Sequence, residues 1–193
     1  MRVAELRDLP GARELSSGAG SLSCSDAAVL AAERGEEAAV LAWLDGGGRA
    51  DATYERRGVS GITLLMGAAF NDHERVVELL LQHGAEINLQ RSDGWTALVI
   101  AASNGRERLV ELLMQHGAEV NLQDSDGATA LMNAANEGHE RVVELLLWRG
   151  AEVNLQEKKG FTALMSAAQH GRERVRGEPI PRFSRFPLEN CPF

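Results

Sequence analysis

"TALVIAASNGRERLVELLMQHGAEVNLQ", residues 96–123, decides how this chain folds, because the chain says it again. Residues 129–156 read "TALMNAANEGHERVVELLLWRGAEVNLQ", and the 33-residue units that start at Gly94 and Gly127 agree at 20 positions. Gly61, Gly94, Gly127 and Gly160 all keep the 33-residue spacing. A period of that length marks supersecondary units that stack. A degenerate earlier copy stands at 27–52, where Ala31, Ala32 and Gly35 match Ala101, Ala102 and Gly105. An insertion within "TYERRGVS", residues 53–60, separates it from Gly61.

Each unit reads as two short helices and an arm. Thr63, Thr96, Thr129 and Thr162 stand where a hydroxyl caps a helix N-terminus. Gly105, Gly138 and Gly171 supply a turn with positive φ, and Asp72 takes the same slot. A second helix follows, with Leu109, Val110, Leu112 and Leu113 at helical spacing. Gly84, Gly117 and Gly150 stop it. "AEVNLQDSDG" then runs as an extended arm into a tight turn. One unit cannot bury Leu98, Ala101, Leu109 and Leu112 alone, so neighbours must cover them. Full burial contributes about 1.5–3 kcal/mol for each Leu, opposed by the entropy of ordering the chain.

The "TALxxAA" first helix, the "VVELLLxxGA" second helix and the "VNLQ" arm make these units similar to ankyrin repeats, over roughly residues 27–175. The resemblance implies an all-α solenoid of stacked helix-turn-helix units with β-turn or hairpin arms. It also implies a concave face that binds other proteins. The chain departs from the family's "TPLH" at Ala97 and Val99, Ala130 and Met132, and Ala163 and Met165. In the family that His ties neighbouring repeats; here apolar packing, with Met at two of the three positions, takes its place.

The expected organisation is a leader at 1–26, a degenerate repeat at 27–60, and repeats at 61–93, 94–126 and 127–159. A truncated repeat at 160–175 and an irregular tail at 176–193 complete it. Low aromatic content (5%) suits packed helices. Net charge is −8, most of it on the regular units, which disfavours a nucleic-acid partner. Cys24 and Cys191, in opposite flanks, make no disulfide framework. The start lacks the apolar run of a signal peptide, and "AAVLAWL" at 38–44 is too short to span a bilayer. Cys191 stands third from the end, where a prenylation box needs it fourth. These features point to an intracellular, cytoplasmic monomer.

Chemistry finds no foothold. "HERVV" at His73 and His139 begins like a zinc-protease helix, but Val77 and Val143 replace the second His. A calcium loop around Gly127 would place Leu122 and Asn133 at ligand positions. "DGGGRAD" lacks the strand and helix of a phosphate cradle, and "GVSGI" misses the nucleophile elbow by one residue. His83 and His116 read as solvated helix ends near the C-terminal dipole. No cofactor, metal or catalytic residue is expected.

A surface remains. The units differ most at the turn tips, "RSDGW", "DSDGA" and "EKKGF", and at the first-helix ends, "SN", "NE" and "QH". The resemblance implies that these slots line the concave face. The expected contact residues are Ile62, Phe70, Asp93, Trp95, Asn104, Asp126, Asn136, Glu137, Lys158, Lys159 and Phe161. Exposed aromatics beside mixed charge are the chemistry of a hot spot with a polar rim. Trp148, on the other face, is read either as packing or as a separate contact. The expected function is non-catalytic protein–protein recognition. The alternatives are the recognition arm of a larger kinase or ubiquitin ligase, or a free-standing enzyme inhibitor.

The last unit breaks off: after Val175, "RGEPIPRFSRFPLENCPF" replaces the expected "VELLL". Gly177, Pro179 and Pro181 end any helix there. Leu164, Met165 and Ala168 then lose cover on one side unless Phe183 and Phe186 fold back over them. The tail reads either as an irregular cap or docking segment, or as read-through past a splice donor, since Gly177-Glu178 can be encoded GGTGAG.

Overall fold

The structure is a computed structural model that describes residues 24–169. The leader before Cys24 and the tail from His170 onward, with the expected folding back of Phe183 and Phe186, lie outside the described residues. The helices are α1 (Cys24–Arg34), α2 (Glu37–Asp45), α3 (Leu64–Phe70), α4 (Glu74–Gln82), α5 (Ala97–Ser103), α6 (Glu107–Gln115), α7 (Ala130–Glu137), α8 (Glu140–Trp148) and α9 (Ala163–Gln169). First helices pack in one row, α1–α3–α5–α7–α9, and second helices in another, α2–α4–α6–α8. Helix α1 takes in the last three residues of the stretch expected as leader.

The caps fall where the hydroxyls predicted them. Thr63, Thr96 and Thr129, all buried, accept hydrogen bonds from the backbone N–H of Met66, Val99 and Met132 at 3.2, 3.2 and 3.3 Å. Each satisfies a donor that the helix cannot. First helices close through the turn slot, where Asp72 (φ 65°) adopts the left-handed conformation that Gly105 (φ 68°) adopts more readily.

The core runs along the stack. Leu98, Ala101 and Leu109 are buried as expected, but Leu112 is only half-buried. Leu113 takes the inner position because it lies four residues beyond Leu109 on the same helix face. Val99 and Met132, at the family's His slot, are buried as apolar packing.

Polar ties between units lie elsewhere. His73 and His139, at the start of second helices, reach back to the carbonyls of Glu33 (2.9 Å) and Ser103 (3.0 Å) in the unit before. In the arms, Asn88 accepts from Glu119 N–H and Asn121 from Glu152 N–H, both at 2.9 Å. Gln90 and Gln123 donate to the carbonyls of Gln123 (2.9 Å) and Gln156 (3.3 Å) in the next arm. The repeated "VNLQ" and its "INLQ" variant are therefore a ladder of side-chain amides that joins the repeats.

The regular arms are built from turns. The insertion alone forms a two-stranded antiparallel hairpin among the described residues, β1 (Thr53–Arg56) with β2 (Val59–Thr63), and its register shifts between Tyr54 and Arg56.

Candidate functional site

Each regular arm ends in the same closed turn. Arg91 N–H donates to Trp95 O, Asp124 N–H to Ala128 O, and Glu157 N–H to Phe161 O, at 2.9–3.0 Å. Successive tips join through the main chain: Ser92 N–H to Ser60 O, Ser125 N–H to Asp93 O, and Lys158 N–H to Asp126 O, at 2.8–2.9 Å. Backbone fixes the spacing, and side chains supply the variety.

At the first regular tip Arg91 grips Asp93 with two hydrogen bonds, 2.7 and 2.9 Å, and lays its guanidinium 4.8 Å from the Trp95 ring centre. Burial pushes the Asp93 carboxyl upward. The Arg91 hydrogen bonds, the Trp95 N–H and the Arg91 charge outweigh it, so the group stays below the ordinary carboxylate range. At the second tip Asp124 is spent within the turn, accepting from Asp126 and Ala128 N–H at 2.9 Å. Asp126, Lys158 and Lys159 are exposed and make no ion pair among the described residues.

The expectation of exposed tip aromatics needs correction. Trp95 and Phe161 are half-buried, as is Ile62 in the same slot. Trp95 and Ile62 pack against the core, and Arg91 covers part of the Trp95 ring. The slot lies directly before the capping Thr, so its side chain is drawn against the stack. Phe70, at the end of α3, is the free ring, 58% exposed.

The first-helix ends form a second row. Asn104 donates back to Ile100 O (2.8 Å), and Asn136 donates to the exposed Glu137 (3.0 Å). The intervening helices are seven or eight residues long, so the tip row and the end row stand roughly 10 Å apart. The structure thus brings the expected residues onto two parallel rows rather than into one cluster.

Elsewhere, His83 and His116 bond the carbonyls of Leu79 and Leu112 at 2.8 and 3.0 Å, as solvated helix ends. The described residues contain no group of three or more His, Cys, Asp or Glu able to hold a metal ion. No described helix is long and apolar enough to cross a membrane. Trp148 is 64% exposed, with Arg149 over its ring at 4.8 Å, so it is not core packing. Sequence reasoning missed the stacking of Arg91 on Trp95, the two inter-repeat histidines and a contact made by Tyr54; the Asn and Gln ladder and the repeated "HERVV" of His73 and His139 had a visible signal, their repetition.

No curated protein matches the chain. The family model for ankyrin repeats in three copies matches residues 28–124 and again 116–176. Repeats of this kind are generally protein–protein interaction modules and typically non-catalytic. With helix pairs stacked at a 33-residue period and arms joined tip to tip, the chain belongs to the ankyrin-repeat family.

Proposed function

We propose that this chain is a non-catalytic recognition module that binds another protein across the two rows, tips and first-helix ends. One observation carries the reading. Main-chain bonds hold the tips at constant spacing while their side chains change from an Arg–Asp pair to Asp126 to Lys158 and Lys159. A surface with a fixed frame and varied chemistry suits selection of one partner. Its acidic balance favours protein over nucleic acid, and we place it in the cytoplasm as a monomer.

Capture of binding proteins with immobilised variants tests this. Phe70→Ala and Trp95→Ala should each weaken the captured complex about 30-fold, roughly 2 kcal/mol. Arg108→Ala and Glu111→Ala, exposed on α6, should leave it unchanged. Equal loss from both pairs, or from neither, would remove the two rows from consideration.

The exposure of Trp148 favours a second contact on the opposite face. Trp148→Ala should then weaken a complex that Phe70→Ala leaves intact.

A further inference from the structure

The insertion puts something onto the inner face. Gly35 and Asp72 hold equivalent turn slots 37 residues apart, four more than between Asp72 and Gly105. The extra length lies within the β1–β2 hairpin, and Tyr54 and Arg56, on either side of its register shift, turn towards the same helix. Both reach one carboxylate. Tyr54 donates its hydroxyl to Glu33 Oε1 at 3.2 Å, and Arg56 pairs with the same oxygen. The Glu33 side chain is 12% exposed, so α1 holds a mostly buried charge that these two groups satisfy.

The floor beneath the phenol is also particular. Gly67 on α3 occupies the slot filled by Ile100, Asn133 and Ser166 in the later units. A Cβ at Gly67 would lie 2.7 Å from the Tyr54 oxygen, so a side chain there would displace the hydroxyl from its place beside Glu33. Burial, and then the Glu33 charge, push the Tyr54 hydroxyl's ionisation upward.

We infer that Glu33 and Gly67 form a binding seat for an extended segment carrying Tyr and, two residues on, Arg, and that this chain's own hairpin fills it. Tyr54 thus sits across Glu33 of α1 and Gly67 of α3. Once the phenol leaves, the seat takes a partner segment of the same chemistry. This consequence rests on the reading of the tip and first-helix-end rows as a docking surface, but the seat can be tested with no docked partner.

The probe is the acetylated, amidated peptide DATYERRG, residues 51–58, titrated calorimetrically into the full chain. The Tyr54→Ala, Arg56→Ala double variant, which frees the Glu33 oxygen of both groups, should bind it at least tenfold more tightly than the wild type, whose seat is filled. Adding Glu33→Gln or Gly67→Ile to that variant should abolish binding, and the peptide with Ala for Tyr should not bind. No binding to the double variant, equal binding to the wild type, or binding that survives Glu33→Gln would overturn the seat.

A second measurement needs no variant to fold. Tyr54 is the chain's one tyrosine, so phenolate absorbance reports its seating directly. A seated phenol ionises above the free value of about 10, and a midpoint at the free value would overturn the proposal. Either measurement can fail while the tip and helix-end rows still capture a partner, and the converse holds.

Discussion

Helices α7 and α9 follow a Thr with the same letters, Ala-Leu-Met, yet only in α7 are that Leu and Met inside the protein. Leu131 and Met132 are 2% and 3% exposed; Leu164 and Met165 are 57% and 51% exposed. The α7 pair lies between α5, α8 and α9, while α9 has α7 on one side and no described second helix. Burial in this fold is therefore a property of the neighbour rather than of the unit's own sequence. Identical residues contribute different amounts of stability according to how many interfaces they close.

Paired truncations would break that comparison most directly. Leu131→Ala should cost about 2–5 kcal/mol by cavity formation, whereas Leu164→Ala should cost below about 1 kcal/mol, because little apolar area is lost. Chemical denaturation of both variants measures the difference, and comparable losses would mean that α9 is covered after all.

A smaller effect separates two turn glycines. Gly105→Ala places a Cβ 2.6 Å from the His139 ring, which the Ser103 carbonyl holds in place. Gly117→Ala meets nothing within 4 Å and carries only the positive-φ strain, about 1–2 kcal/mol. We expect Gly105→Ala to exceed it by about 0.5–1.5 kcal/mol, the loss of a half-buried tie. Thermal melts in a His139→Ala background should erase the excess.

The arm ladder sharpens the same contrast between interior and end. Asn121→Ala removes the acceptor for Glu152 N–H and should cost about 0.5–1.5 kcal/mol. Asn154 holds the same slot in the last arm and is exposed, so Asn154→Ala should fall within about 0.5 kcal/mol of the wild type.

The smallest expected effect is on pH. The folded-state Asp93 carboxyl lies below its ordinary value, so its stabilising contribution is complete above about pH 4 and fades as pH falls further. Denaturation midpoints at pH 3 and pH 6 should differ less in Asp93→Asn than in the wild type.

Much of the fold was legible because it is local. Thr96 caps the N–H three residues on, and Asp72 turns a helix within its own loop; neither needs distant information. The site was less legible because its partners are far apart in sequence. His139 bonds a carbonyl 36 residues back, a partner its recurrence two periods after His73 does not name, and Tyr54 finds Glu33 at a separation of 21 that no repeat spacing marks. Trp95 misled for a related reason. Variation between units marked the slot as surface, yet the ring packs against the stack with Arg91 over it. The Asn and Gln ladder was visible all along as unchanging letters, and its meaning emerges only when successive arms lie side by side.

Main-chain hydrogen bonds from tip to tip carry a consequence for how such a protein changes over generations. A bond from Ser125 N–H to Asp93 O survives almost any exchange of either side chain, because both atoms belong to the backbone. Substitutions at Asp126 or Lys159 therefore leave the distance between neighbouring tips untouched. Selection can rewrite what the surface recognises without renegotiating how the scaffold holds together, and the two kinds of drift proceed independently.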